Sequence, residues 1–452
     1  MRFLISLFSV PVLCSWGFSA RPSRRPGAHP LIRVGGESTT CRRVHGCGRR
    51  RGRSRVRRIG WRLQSSTSET VEVRDPADES RLTVTPLSTW FAAVGGQAEQ
   101  RQQFFWSWRG HEIFLDSFAS QENLDKPTVI LAHGFAASTV YWRETIKALS
   151  EDGYNVFALD LLGQGRSSKP YSNDGGGPLL SDTGTGSLRP ALPSEVGKNT
   201  ETNVEYSISL YGEMVDDFAR QFKLEEVVLM GNSIGSLVCL SAATGDCCID
   251  PYLSSRVRGL CLFNCGIGLN SMNVLKNPDF SRFQVALFSG LFGALNALIF
   301  GNRTLLRYLL NVVTEDLLRD ALRSLYPRNP DRVDEQLVES FYRPAKTGGD
   351  GGVDVVAQIY TNEAGYTPME YHDRYKDLLD SLPLHLIWGT ADVVTPLTGD
   401  VGVFYCDRVA NNRSGKQTTS IELVDAGHLL FDEKPEEVHA SMFKWLNRKV
   451  VT

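Results

Sequence analysis

The sequence predicts an α/β protein, a mostly parallel, doubly wound sheet that carries a helical cap. Short, continuously apolar runs such as residues 128–132 and 227–230 have the character of strands buried on both faces. Amphipathic stretches such as 142–149 and 211–222 lie between such runs, the alternation that builds a parallel sheet covered by helices. A long, largely helical segment then interrupts the alternation before the last strands.

In chain order, residues 101–118 read as two short strands joined at Arg109-Gly110. Further strands are expected at 128–132, 155–159, 227–230, 259–263, 384–388 and 421–424. These divide the body into a first part of the sheet core at 100–265, a cap at 266–380 and a second part of the core at 381–452. Residues 171–203 are rich in Gly, Ser, Thr, Asn and Pro and read as a flexible insertion in the first part. In the cap, Leu287, Phe288, Leu291, Phe292, Leu295, Leu298 and Ile299 recur at helical spacing. A buried cap helix is the expectation there, with peripheral contact to a lipid surface as the sharper alternative. Gln284, Ser289 and Asn296 argue against a membrane span.

The net charge of −2 conceals two opposite halves. Residues 1–64 hold 15 of the 49 basic residues, all Arg, and one of the 51 acids, Glu37. The rest therefore carries 34 basic against 50 acidic residues, which excludes the continuous basic footprint of a nucleic-acid binder. Residues 1–20 have one positive charge, a short apolar run and a small-residue end, as a signal segment does. Residues 21–70 form a basic, Ser-rich, acid-poor transit or linker segment. Together they resemble the two-part leaders of algae with secondary plastids, so a plastid is the expected location, with secretion or the endomembrane system as the alternative. The nine cysteines show no metal-ligand spacing, and free thiols are expected, the adjacent Cys247-Cys248 included.

The chemistry is carried by Gly231-Asn232-Ser233-Ile234-Gly235, between an apolar run and a helix-prone stretch. Strand, Gly-x-Ser-x-Gly, helix is the layout of a nucleophile elbow, in which a sharp turn holds the serine hydroxyl clear of the sheet. A serine needs a base, and His428 lies in the loop after the last expected strand. A carboxylate must orient that imidazole, and Asp392 sits just beyond the preceding strand. Asp425 and Asp400 are rival acids, with Asp425 only three residues from His428. His133-Gly134-Phe135-Ala136 follows its strand directly, so the backbone N–H groups of Phe135 and Ile234 are the expected oxyanion donors. His133 and Asp160 read as structural, His111, His385 and His439 as ordinary strand or surface residues, and His372 as a candidate to line the pocket from the cap. The order Ser233, Asp392, His428 is that of the α/β-hydrolase fold, with neither a cofactor nor a metal expected.

Trp106-Ser107-Trp108-Arg109-Gly110, the turn from His133 to Ser138, the elbow to Leu237 and Leu262-Phe263-Asn264-Cys265 extend the pattern. With residues 333–339, Trp388-Gly389 and Thr395-Pro396, the chain resembles plastid α/β-hydrolases of the chlorophyll dephytylase and pheophytinase-like type across residues 106–449. The resemblance implies cleavage of the ester between a long phytyl chain and a chlorophyll-type ring, with Ser233, Asp392 and His428 at the matching positions. Leu429-Leu430-Phe431 and the 171–203 insertion depart from the plant pattern. The residues by themselves are equally compatible with another lipid or acyl ester. A carbon–carbon bond hydrolase and a non-catalytic binding protein of the same fold are lesser alternatives. Related folds with Asp as nucleophile, dehalogenases and epoxide hydrolases, are disfavoured by Ser233.

Overall fold

The computed structural model describes residues 71–74, 81–84, 101–120, 123, 125–170, 180–182, 188–190, 204–276, 281–412 and 418–450. The leader, 1–70, lies outside them. The strands are β1 (Val71–Arg74), β2 (Arg81–Val84), β3 (Gln102–Trp108), β4 (His111–Phe118), β5 (Thr128–Ala132), β6 (Val156–Leu159), β7 (Leu180–Asp182), β8 (Leu188–Pro190), β9 (Val227–Asn232), β10 (Val257–Phe263), β11 (Leu384–Gly389) and β12 (Thr419–Val424). All but β7 and β8 form one sheet in the order β12-β11-β10-β9-β5-β6-β4-β3-β1-β2.

From β12 to β6 every pairing is parallel, and the remaining pairings are antiparallel. Side chains of β5, β6, β9 and β11 are buried throughout, which is why their sequences are unbroken apolar runs rather than alternating ones. The turn at Arg109-Gly110 has positive φ at both residues, 50° and 80°, as a two-residue type I′ hairpin requires. Arg109 is held there by Glu213 and Asp217 and lies over the Trp108 ring. Two apolar clusters flank the sheet. One is roofed by the helices Ile208–Gln221 and Ile234–Thr244, the other by Arg143–Glu151 and Pro435–Lys449. The parallel strands all point the same way, so the loops after β5, β9, β10, β11 and β12 gather at one edge, where such sheets bind ligands.

Four strands escaped the sequence reading. β1 and β2 are only four residues each, and β7 and β8 three, too short for a period of two to stand out. The β7–β8 ladder lies within the 171–203 insertion.

The cap helices cross the ligand edge. The segment expected as one buried helix runs Arg282–Leu295 and passes into a π-turn at Asn296–Phe300. Of the expected apolar stripe, Leu298 is 68% exposed, Phe288 is half-buried and Ile299 is buried, while Leu287, Leu291, Phe292 and Leu295 lie outside the residues whose side chains are described; Phe283 at the start of the helix is 76% exposed. Its inner end is covered, with Ile299 and Phe300 buried, Phe288 packed against the same cluster and Asn296 Nδ2 donating to the Tyr360 carbonyl at 2.9 Å. Among the described residues no helix is long and apolar enough to cross a membrane. The cap is tied to the core by buried Asp432, which accepts from Arg143 Nε at 3.1 Å and from the Tyr326 hydroxyl at 2.8 Å.

His372 lies on Pro368–Arg374, buried against Phe404 and Tyr405, and does not line the pocket. Neither ring nitrogen has a hydrogen-bond partner among the described residues. Burial and the neighbouring Arg408 push its pKa down to about 3, and burial pushes His385 and His439 down to about 4. Between the ordinary histidine value of 6.5 and these values the unfolded chain binds more protons, so stability is lost as pH falls through that window. His372→Leu removes two unpaired polar atoms. It should raise the unfolding free energy by about 1–3 kcal/mol at neutral pH and flatten its decline below pH ~6.5, as read by urea unfolding across pH.

Candidate active site

The elbow is built by close approach. A Cβ on Gly231 would stand 2.3 Å from the Gly235 carbonyl oxygen, and one on Gly235 2.2 Å from that of Ala132. Between these glycines Ser233 takes φ 56° and ψ −121°, a conformation L residues rarely adopt. Its N–H donates to the Phe263 carbonyl at 3.1 Å, and its carbonyl accepts from Ser236 and Gly266 at 3.0 and 3.1 Å. The helix Ile234–Thr244 then runs back buried along its whole length.

His428 and Asp392 are brought together. His428 Nδ1 lies 2.8 Å from Asp392 Oδ2. A carboxylate only accepts, so Nδ1 carries the proton and the neutral ring keeps Nε2 as its acceptor. The same Oδ2 accepts from Thr395 Oγ1 at 2.6 Å, while Oδ1 accepts from the Val394 and Thr395 amides at 2.7 and 3.1 Å. Burial pushes the Asp392 pKa up, but the attraction of adjacent His428 and these hydrogen bonds outweigh it and hold the pKa below the ordinary value. The rival Asp425 is exposed and paired to Arg328 Nε at 2.8 Å, and Asp400 opens the helix Asp400–Ala410.

In the turn after β5, Gly134 N–H donates to the Tyr141 hydroxyl at 2.5 Å and Ala136 N–H to Gln164 Oε1 at 2.7 Å. The Phe135 amide lies between these two committed groups. Buried His133 holds the turn, with Nδ1 2.7 Å from the Gly134 carbonyl and Nε2 accepting from Leu161 N–H at 2.9 Å. Asp160 receives the Thr139 and Arg166 amides at 2.6 and 2.7 Å. Both residues therefore serve structure.

Phe135, Ser233, Ile234 and His428 open onto one cavity of about 310 Å³. Its far walls come from the cap and are largely apolar, among them Leu310, Val313, Leu317, Phe341, Val356 and Tyr360. The Phe135 ring meets Tyr360 edge-on at 5.5 Å, so the cap packs directly on the turn. Among the described residues no cluster of His, Cys, Asp and Glu could hold a metal, and the six described cysteines are free thiols.

Three supporting residues were not assigned roles from sequence. Asn264, at φ 46° just past β10, accepts from the Gly389 amide at 2.7 Å and donates to the Gly427 and His428 carbonyls at 2.9 Å each. It thus ties the acid loop to the histidine loop. Asn232 Nδ2 reaches the Phe263 and His428 carbonyls at 3.1 and 3.3 Å, tying the elbow to the same loop. Buried Glu433 accepts from the amides of Gly427, Arg328 and Asn329, joining the histidine loop to the cap. The signal for Asn264 was a polar residue directly after a buried parallel strand. Glu433 had no local signal.

A serine on a strained elbow, a carboxylate-oriented imidazole and backbone amides around an apolar cavity are the parts an acyl transfer needs. The fold and this edge define an α/β hydrolase. Residues 127–435 match the alpha/beta hydrolase fold family, and the chain belongs to it. It is 31% identical over 150 residues to the chloroplastic pheophytinase of Arabidopsis thaliana, covering 32% of this chain and 28% of that protein. It is 38% identical over 63 residues to the probable lysophospholipase BODYGUARD 4 of the same plant, covering 13% of this chain and 15% of that one. The chain thus spans less than a third of the length of these curated relatives. The solved structure of the epoxide hydrolase CorEH superposes with a TM-score of 0.51 at 18% identity, over 77% of this chain and 99% of that one, and shares the fold.

Asn264→Ala should lower kcat by about 10–100-fold with KM little changed, since it misplaces His428 and Asp392 without touching the cavity. Steady-state kinetics on a short ester reads this. The depressed Asp392 pKa contributes stability above the ordinary aspartate value of 3.8 that is lost as pH falls through the folded value. The Tm gap between wild type and Asp392→Asn should therefore shrink below pH ~4 in a thermal-melt series.

Proposed function

We propose that the protein is a serine hydrolase of carboxylic esters bearing a long apolar group. The phytyl ester of a chlorophyll- or pheophytin-type pigment in a plastid is the substrate class best supported. The observation that carries the reading is the joint opening of Ser233 and His428 onto an apolar cavity. That cavity lies at the lower end of the ~300–1,000 Å³ range of small-molecule sites, a size for one aliphatic limb of an ester while a macrocycle stays at the mouth. The partial likeness to a chloroplastic pheophytinase and the composition of residues 1–70 support the plastid assignment.

In this mechanism His428 Nε2 takes the Ser233 proton as the oxygen attacks the ester carbonyl. Asp392 stabilises the imidazolium, and the Phe135 and Ile234 amides receive the negative oxygen. The alcohol leaves with the proton from His428, and a water activated by the same ring releases the acid and restores the serine. Serine at the elbow separates this chemistry from that of relatives whose nucleophile is Asp. The same cavity suits a fatty-acyl ester, and the short match to a probable lysophospholipase favours that as the second reading.

The test incubates the protein and Ser233→Ala with chlorophyll a, pheophytin a, a lysophospholipid and a short p-nitrophenyl ester. Serine-dependent release of phytol is the expected outcome. Acyl release from the lysophospholipid alone would favour the second reading. Turnover undiminished in Ser233→Ala would remove the mechanism, since loss of a triad nucleophile ordinarily costs about 10⁶ in kcat.

A further inference from the structure

Five of the nine large apolar side chains exposed among the described residues fall within one cap stretch: Phe283, Leu298, Leu305, Tyr308 and Val312. They sit on three successive segments, Arg282–Leu295, Asn296–Phe300 and Arg303–Val312, each packed on the next. The last of these has apolar residues pointing both inward and outward. Leu306 and Leu310 are buried inward, and Leu310 lines the cavity, while Leu305, Tyr308 and Val312 face outward. The helix also carries Arg303, Thr304, Arg307 and Asn311, and among the described residues Leu305, Tyr308 and Val312 stay exposed beside them.

The charge of the stretch is opposite to that of the body. Between Asp279 and Glu315 the chain holds Arg282, Arg303 and Arg307 and no acid. Arg303 turns inward to buried Asp354, whereas Arg282 is exposed and Arg307 pairs at the surface with Asp350. At the helix end beside Val312, Lys346 Nζ binds the Leu310 and Asn311 carbonyls at 3.1 and 2.7 Å. We infer that this outer cap face docks on a lipid bilayer containing anionic lipid, seating Phe283, Leu298 and Tyr308 among the headgroups and upper acyl chains. The occupant follows from three features taken together. Exposed Asp350 is paired with Arg307 and exposed Arg282 adds positive charge at the head of the stretch, so this face carries no excess of acid to be repelled by an anionic surface. Protruding Phe, Leu and Tyr separated by exposed Gly and Ala enter a fluid layer without needing a complementary solid surface. And the inner side of the same helix walls the cavity, which under the proposed function receives a lipid-soluble ester. The choice of lipid rests on that reading.

The test is cosedimentation of the full chain with vesicles of phosphatidylcholine containing phosphatidylglycerol, beside a Phe283→Ser/Leu298→Ser/Tyr308→Ser variant. None of these three residues lines the cavity. The apparent partition coefficient should fall at least about tenfold in the variant, while hydrolysis of a water-soluble short ester is unchanged. Equal sedimentation of the two proteins, as when the basic leader alone holds the chain to lipid, overturns the proposal. So does no sedimentation of the wild type, or a lipid-free dimer of the wild type that the variant abolishes. If short-ester turnover proves independent of Ser233, the hydrolase reading fails while the vesicle result stands.

Discussion

The site depends on how little space remains where β9 meets its helix. Side chains at either elbow glycine would collide with backbone oxygens, so the helix Ile234–Thr244 can start against β5 only if both positions are bare. The serine between them then adopts a left-handed backbone that costs on the order of 1–3 kcal/mol. That strain persists because the hydrogen bonds of Ser233 to Phe263, Ser236 and Gly266 allow the turn little freedom. The same closeness sets Gly134 beside the serine and so aligns the turn carrying Phe135 with the elbow.

Around the elbow the polar groups form a closed set. Asn232 and Asn264 between them bind the backbone of the β10, β11 and β12 loops, and Glu433 fastens the histidine loop to the cap. Buried amides and carboxylates are costly unless paired, and each of these three is paired with backbone. Their effect is to hold His428 and Asp392 at a fixed spacing on loops that would otherwise be the most mobile part of such a fold. Asp392 itself is kept ionised inside the protein by donors from three residues, which fixes the tautomer of the histidine before any substrate arrives.

The cap differs in character. Its inner face joins the small cluster around Phe300 and Tyr360, whose rings stack at 3.9 Å and bring the cap against Phe135. Its outer face leaves large apolar side chains in solvent. Surface patches of this kind are ordinarily functional in a soluble protein, since folding alone gains nothing from exposing them. Cavity wall and outer face share one helix, so access to the cavity and the surroundings of the cap are physically linked.

Much of this was legible in the chain itself. Unbroken apolar runs announce strands buried on both faces, and a Gly-x-Ser-x-Gly between strand and helix announces the elbow, because both are local steric and solvation requirements. The positions of Asp392 and His428 after successive strands followed from the same periodicity. The structure decided what depends on residues distant in sequence. Asp392 faces His428 while Asp425 turns to Arg328, a choice made by loop paths and not by spacing. Asn264 and Glu433 acquire their roles only once loops up to 164 residues apart converge. The segment Arg282–Phe300 shows a limit of periodicity: Leu298 and Ile299 both belong to its apolar stripe, yet Leu298 is 68% exposed and Ile299 is buried, a difference that only the packing of the cap decides.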